Sequence, residues 1–281
     1  MPELPEVETI SSDLKKEIVG KTIIRASVEG SYKVFPSREV FVDGLAQVSI
    51  ENVYRLAKVL LIKTSENILS FHLAMTGRVL FRKQNATGDP HTRIKLLFDD
   101  DTELRFTDVR MFGYARLLSE AQLKELNNKY GPTPFNKNLN PEKLKQILMG
   151  RKTQIKRALL EQDLISGLGN IYANDALFIA GIHPETLTTN LNQKDFQNLL
   201  EAMKVILKEG ISHRGSTLDD KMYVDIYGRA GSHQNYFRVY GKEGKPCPKC
   251  KTLIKGITIG GRSTFFCPEC QRSRTNPTLF D

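Results

Sequence analysis

Four cysteines are all that the chain contains, and their spacing leaves few local structures open. Cys247 and Cys250 form one C-x-x-C, Cys267 and Cys270 a second, and sixteen residues separate the pairs. Two thiolates across a two-residue loop can reach one ion together, so two such knuckles complete the tetrahedral sulfur set of Zn²⁺. Between the pairs, residues 252–259 and 262–266 read as strands around a turn at Gly260 and Gly261, which predicts a β-hairpin ribbon. Two disulfides are the other reading. The chain opens without a basic segment and apolar run, which argues for a reducing compartment and against them. Four sulfur ligands leave no coordination position open, so the expected cofactor is one structural zinc ion.

Such a ribbon occupies a small part of 281 residues. At roughly 100–200 residues per domain, two domains with a small appendage are expected. With 40% hydrophobic and 26% charged residues, the composition is that of a soluble globular protein, and no stretch approaches the ~18 apolar residues of a membrane span. The expectation is a cytoplasmic protein with no membrane association. A formal charge of +9 suits a phosphate-rich partner, though weakly by itself. Its placement says more. Over residues 141–160, Lys143, Lys145, Arg151, Lys152, Lys156 and Arg157 stand against Glu142 alone, and residues 241–281 hold eight basic residues against three acidic ones.

Along the chain, residues 3–19 have apolar positions at helical spacing, with Pro5, Glu6 and Glu8 in the first turn, Lys15 and Lys16 near the last, and Gly20 beyond. From 21 to 117 short β-rich runs take over (22–28, 59–63, 68–73, 93–98 and 103–107), which predicts a β-sandwich or barrel-like domain. Gly131-Pro132-Thr133-Pro134 reads as a linker. Beyond it, helices are expected from Pro141 to Gly150 with Asn140 as cap, over 154–162, over 171–180 ending at Gly181, and over 193–208. Gly167-Leu168-Gly169-Asn170 sits at a helix N-terminus, where unpaired N–H groups can hold a phosphate, although such a turn is more often a tight connection. Residues 215–235 lack a period and are expected to be a mobile loop.

The opening Met1-Pro2-Glu3-Leu4-Pro5-Glu6-Val7-Glu8-Thr9 closely resembles that of bacterial formamidopyrimidine-DNA glycosylases. The resemblance runs over nearly the whole chain, through Arg55-Leu56-Ala57-Lys58, the six residues from His72 to Gly77, the eight from Phe106 to Gly113, the eight from Gly167 to Asn174, and the cysteine ribbon with Arg262. It implies an α+β multidomain protein: an N-terminal β-sandwich with its N-terminal helix (1–130), a helix-two-turn-helix domain with a lesion-reading loop (135–235), and a zinc ribbon (236–275). The implied activity is a bifunctional glycosylase and abasic-site lyase that excises oxidised purines, 8-oxoguanine and formamidopyrimidines, from duplex DNA. A monomer is expected.

What the resemblance implies for single residues is specific. Removal of Met1 would free the secondary amine of Pro2 to attack C1′ of the damaged nucleotide, expel the base and leave an iminium that favours β,δ-elimination. Glu3 would protonate the opening sugar. Glu6 would belong to the active-site wall, or equally be a first-turn carboxylate favouring the helix dipole. Lys58 would lie near the phosphates and the elimination step, and Arg262 would reach phosphates and assist δ-elimination. Met75, Arg110 and Phe112 match the family's inserted triad, which fills the gap left by a flipped base. His91, Arg151, Lys156 and Asn170 would contact DNA. The sequence departs from the pattern at Leu56, at Ala74, where glycine is common, and at Lys242, where arginine is frequent. Two rival readings remain: an endonuclease VIII-like enzyme for oxidised pyrimidines, and a catalytically silent zinc-ribbon protein that marks damage.

Overall fold

The structure, a computed structural model, describes residues 2–273, so Met1 and the last two residues of the expected ribbon domain lie outside it. Contacts divide the chain into two compact units. One runs to Asn128 and resumes over Gly210–Gln234, and the other joins Lys129–Glu209 to the chain from Asn235 onward.

In the first unit, α1 (Leu4–Ile18) forms where the apolar spacing predicts it, and Leu4, Val7, Ile10, Leu14 and Ile18 are all buried. Nine strands follow: β1 (Thr22–Val28), β2 (Val34–Phe35), β3 (Val48–Leu56), β4 (Val59–Thr64), β5 (Ile68–His72), β6 (Gly77–Lys83), β7 (Thr92–Phe98), β8 (Thr102–Asp108) and β9 (Tyr114–Leu118). Their order is β2-β9-β5-β4-β3-β1-β7-β8-β6. Only Thr22↔Ser49 and Ile23↔Val48 join β1 to β3. The series therefore behaves as two halves, and Leu60, Ile62 and Phe71 of one share a buried cluster with Ile94, Leu96 and Phe106 of the other, the core of a β-sandwich. Two short helices, α2 (Arg38–Asp43) and α3 (Glu120–Asn127), went unpredicted, although Ser37 and Ser119 cap them by accepting the Val40 and Gln122 N–H groups.

Residues 210–234 pack with this unit, whereas the sequence boundaries group all of them with the helices. The reason is apolar: Tyr223 and Ile226 enter the sandwich core. The segment also covers the free edge of β6, since the Phe81 N–H donates to Ile226 O at 2.8 Å and Arg78 donates to the Met222 and Lys221 carbonyls.

The second unit contains α4 (Pro141–Met149), α5 (Ile155–Ala158) and α6 (Asn170–Ala180), most of α7 (Gln193–Ser212), and the ribbon strands β10 (Lys255–Ile259) and β11 (Arg262–Phe266). Asn140 caps α4 as expected, accepting the Lys143 N–H, and Gly181 ends α6 in the left-handed conformation. Phe196, Leu199, Leu200, Met203 and Leu207 form the buried stripe of α7. The helix predicted over 154–162 stops at Ala158, because the Leu160 N–H turns back to Arg157 O and the Gln162 side chain binds Gly167 N and Leu168 O. The supposed linker is packed rather than loose: a Cβ on Gly131 would lie 2.1 Å from Leu164 O, and Ser166 Oγ donates to Gly131 O.

Candidate functional site

Pro2 and Glu3 are buried at the mouth of α1. Glu6, only 2% exposed, spends one carboxylate oxygen on the Glu3 N–H and the other on the Ser216 N–H, each at 2.8 Å. This geometry favours the helix-start reading of Glu6 and ties the N-terminal segment to the 210–234 loop. Gly215 permits the approach, because its φ is +80° and a Cβ there would lie 2.8 Å from Glu6 Cγ.

Met75, Arg110 and Phe112, remote in sequence, meet in one exposed set. The Arg110 guanidinium lies 4.7 Å above the Phe112 ring and approaches Met75 Sδ at 3.5 Å. Met75 is 43% and Phe112 53% exposed, so the fold leaves apolar side chains in water at this place. The carrying loops are strained. Ala74 (φ 49°) precedes Met75, Met111 (φ 56°) separates Arg110 from Phe112, Ala57 (φ 53°) precedes Lys58, and His91 itself has φ 62°. Glycine would be the unstrained choice at position 74, which gives that departure from the family pattern a physical meaning.

Lys58 sits in the β3–β4 turn, and near it is His72, a residue within a quoted motif that sequence reasoning passed over. The His72 ring stacks on Tyr114 at 4.9 Å, and its Nδ1 is buried without a hydrogen-bond partner among the described residues. Burial, then the positive charges of Arg116 and Lys58, hold its pKa below the usual histidine value. A half-buried imidazole among cations is suited to meeting an anion.

In the second unit, Asn170 Nδ2 donates to Ser263 O at 2.9 Å, so the start of α6 is fixed beside the ribbon strand that carries Arg262. Arg262 is exposed. Lys156 requires a correction: it is fully buried, and its ammonium donates to Asn170 O at 3.3 Å, so it holds the α6 start from beneath instead of extending the basic surface. Arg151 is on the surface, partly neutralised by Asp163 at 3.0 Å and Glu161 at 3.6 Å. Lys242, the third departure, turns inward and donates to Phe237 O.

The four cysteines converge with all four sulfurs within 4.8 Å of one another and no disulfide among them. The separations of 3.8 Å for Cys247–Cys270 and 3.4 Å for Cys250–Cys267 come close enough to the roughly 3.8 Å edge of a tetrahedron with ~2.3 Å Zn–S bonds to fit that ion. Backbone N–H groups of Lys249 and Cys270 point at the Cys247 and Cys267 sulfurs, as in a knuckle. Burial raises the Cys267 and Cys270 thiol pKa values, while the hydrogen bonds from Thr252 bring Cys250 down to about 6, so Cys267 and Cys270 are the thiols that need a cation to ionise.

Comparison with known proteins covers all three parts. The formamidopyrimidine-DNA glycosylase N-terminal domain family matches residues 1–115, the H2TH domain family of the same enzymes residues 130–222, and the zinc finger found in FPG and IleRS residues 244–272. A formamidopyrimidine-DNA glycosylase of Herpetosiphon aurantiacus is 39% identical over 96% of this chain and 100% of its own. Among solved structures, the Lactococcus lactis Fpg with abasic-site DNA superposes with a TM-score of 0.90 at 34% identity, over 97% of this chain and all of that one. The complex of the Lactococcus lactis enzyme with DNA containing Fapy-dG gives a TM-score of 0.88 at 34% identity, over 96% of this chain and all of that one.

Proposed function

The chain belongs to the formamidopyrimidine-DNA glycosylase family, and from that premise we propose that it opens duplex DNA at an oxidised purine with Met75, Arg110 and Phe112, then attacks the extruded nucleotide with Pro2. The observation that carries this reading is the exposed triad on strained backbone, since apolar side chains are held in water at a cost that insertion into a base stack would explain. The Pro2 nitrogen forms a bond to C1′ as the C1′–base bond breaks, and Glu3 supplies the proton to the sugar oxygen as the ring opens. The resulting iminium acidifies C2′, so loss of that proton expels the 3′ phosphate. Lys58, His72 and His91 in the first unit, and Arg151, Asn170 and Arg262 in the second, are assigned to phosphates. Lys156 supports Asn170. Damaged duplex DNA is the partner. No helix among the described residues is long and apolar enough to cross a membrane, and we take the working form to be a cytoplasmic monomer.

The test is borohydride trapping on duplexes containing 8-oxoguanine opposite cytosine, with thymine glycol as the rival lesion. A covalent adduct on the N-terminal peptide, formed faster with 8-oxoguanine, is expected from protein beginning at Pro2. Where Met1 is retained, the Pro2 nitrogen lies in an amide and its lone pair is delocalised, so no adduct should form. An adduct from Met1-retaining protein would move the nucleophile elsewhere, with Lys58 first in line. Preference for thymine glycol would transfer the chain to the pyrimidine-specific reading.

A further inference from the structure

A carboxylate outside the exposed triad holds together the loops that present it. Asp108 ends β8 and is 0% exposed. Its Oδ1 accepts the Thr76 hydroxyl, and its Oδ2 accepts the Tyr32 hydroxyl at 2.9 Å and the Gly113 N–H at 2.8 Å. Thr76 Oγ1 in turn accepts the Arg110 N–H at 3.1 Å. The residue's backbone extends the set: the Asp108 N–H donates to His91 O, and Arg93 Nε donates to Asp108 O, each at 3.1 Å. Gly113 belongs to the same arrangement, since a Cβ there would lie 3.0 Å from Asp108 Oδ2 and 2.9 Å from both His72 O and the Tyr32 hydroxyl.

We propose that Asp108 is the positioning residue of the wedge. Through Thr76 it fixes the residue after Met75 and the backbone of Arg110, and through Gly113 it fixes the residue after Phe112. The inference rests on the wedge reading of Met75, Arg110 and Phe112 given above. A buried carboxylate is costly unless its lone pairs are used, and here they join loops that are separate in sequence. The physical need is stiffness. Unstacking a base pushes back on whatever enters the stack, and loops that yield would lose the work of insertion to their own deformation. Met111 sits between the two wedge residues at φ 56°, so this stretch needs an external hold to keep its shape.

Thr76→Val tests the link without altering the carboxylate or any wedge side chain. It removes the oxygen that joins Asp108 to the Arg110 N–H, while Thr76→Ser keeps it. Single-turnover excision of 8-oxoguanine from duplex is compared with cleavage of a preformed abasic site in single-stranded DNA, where no stack is entered. Fluorescence of a 2-aminopurine beside the lesion reports extrusion. Thr76→Val should lower duplex excision and extrusion by about tenfold or more, the scale of one lost hydrogen bond to a charged group, and leave single-strand cleavage within about threefold. Thr76→Ser should stay within about threefold on both. Equal losses on the two substrates, or unchanged duplex excision by folded Thr76→Val, would overturn the proposal. If Thr76→Val does not fold by near-ultraviolet circular dichroism, Tyr32→Phe decides: a smaller loss confined to duplex supports the proposal, and none, or an equal loss on both, overturns it. Phe112→Ala separates the premise from the inference. If it leaves duplex excision intact, the wedge reading falls and the inference with it. If it is impaired while Thr76→Val is not, only the inference falls.

Discussion

Ala57, Ala74, His91 and Met111 adopt a backbone conformation that costs an L-residue about 1–2 kcal/mol, and each lies at or beside a residue assigned to DNA. At Ala57 the consequence can be measured. Glycine would relieve the left-handed strain but free the unfolded chain, so Ala57→Gly should stabilise the fold by at most ~1 kcal/mol in thermal melting while the Lys58 turn loosens. Strand cleavage should fall even as the melting temperature holds or rises. A parallel drop in both would trace the lost cleavage to lost stability, and unchanged cleavage would mean that the strain serves no purpose. The sequence displayed the identities of these residues and not their φ values, because only the closed β3–β4 turn and the neighbouring loops force the conformation. Lys156 was misread for a related reason: a lysine in a basic run is ordinarily a solvated one, and only the packing around Asn170 shows its burial. The cysteine cluster was legible because its chemistry depends on spacing in the chain alone.

Among the elements, the 210–234 segment departs furthest from its sequence reading. Over 215–235 the lack of a period predicts a mobile loop, yet Asp225 accepts the Tyr227 and Arg229 N–H groups and pairs with Arg214 at 2.6 Å and Arg229 at 3.0 Å, and Arg214 also binds Asp13 of α1. Side-chain charge here adds to the apolar anchors Tyr223 and Ile226, and periodicity reports neither. α1, α4 and α6 were readable because stripe, cap and stop signals agree, whereas α2 and α3 are short and rest on serine caps. Burial raises the Asp225 pKa, but the hydrogen bonds from Arg229 and Arg214 outweigh it and leave the value below that of an ordinary aspartate. The contribution is therefore complete above the unfolded value of about 4 and lost as pH falls through the lower folded value. Asp225→Asn should remove it at neutral pH, and amides 217–231 should exchange faster by about tenfold or more, for roughly 1–3 kcal/mol. Unchanged protection would assign the order to Tyr223 and Ile226 instead.

For the whole molecule, the first unit has its own apolar core, while the ribbon has only a small one, Cys247, Ile254 and Cys267 packed with Phe178, Val239 and Phe265, together with buried Ile259 and Phe266. Cys247→Ser should lose zinc and most duplex affinity while the β-sandwich remains folded, as checked by metal content, gel shift and limited proteolysis. Full duplex binding by zinc-free protein would contradict this. The ribbon is nevertheless not a cassette. Asn174 Oδ1 accepts the Phe265 N–H, Gln271 Nε2 donates to Ile182 O, and the buried carboxylate of Asp175 collects the N–H groups of Arg238, Val239 and Tyr240 on the approach to the first knuckle. Helix α6 thus acts as a third strand would, meeting the backbone's donors through its side chains. A ribbon transplanted by its cysteine boundaries alone would carry the Phe265 N–H away from Asn174 and omit both Gln271 and the 238–240 approach that Asp175 holds, so the unit of inheritance here is the hairpin together with the helix that reads it.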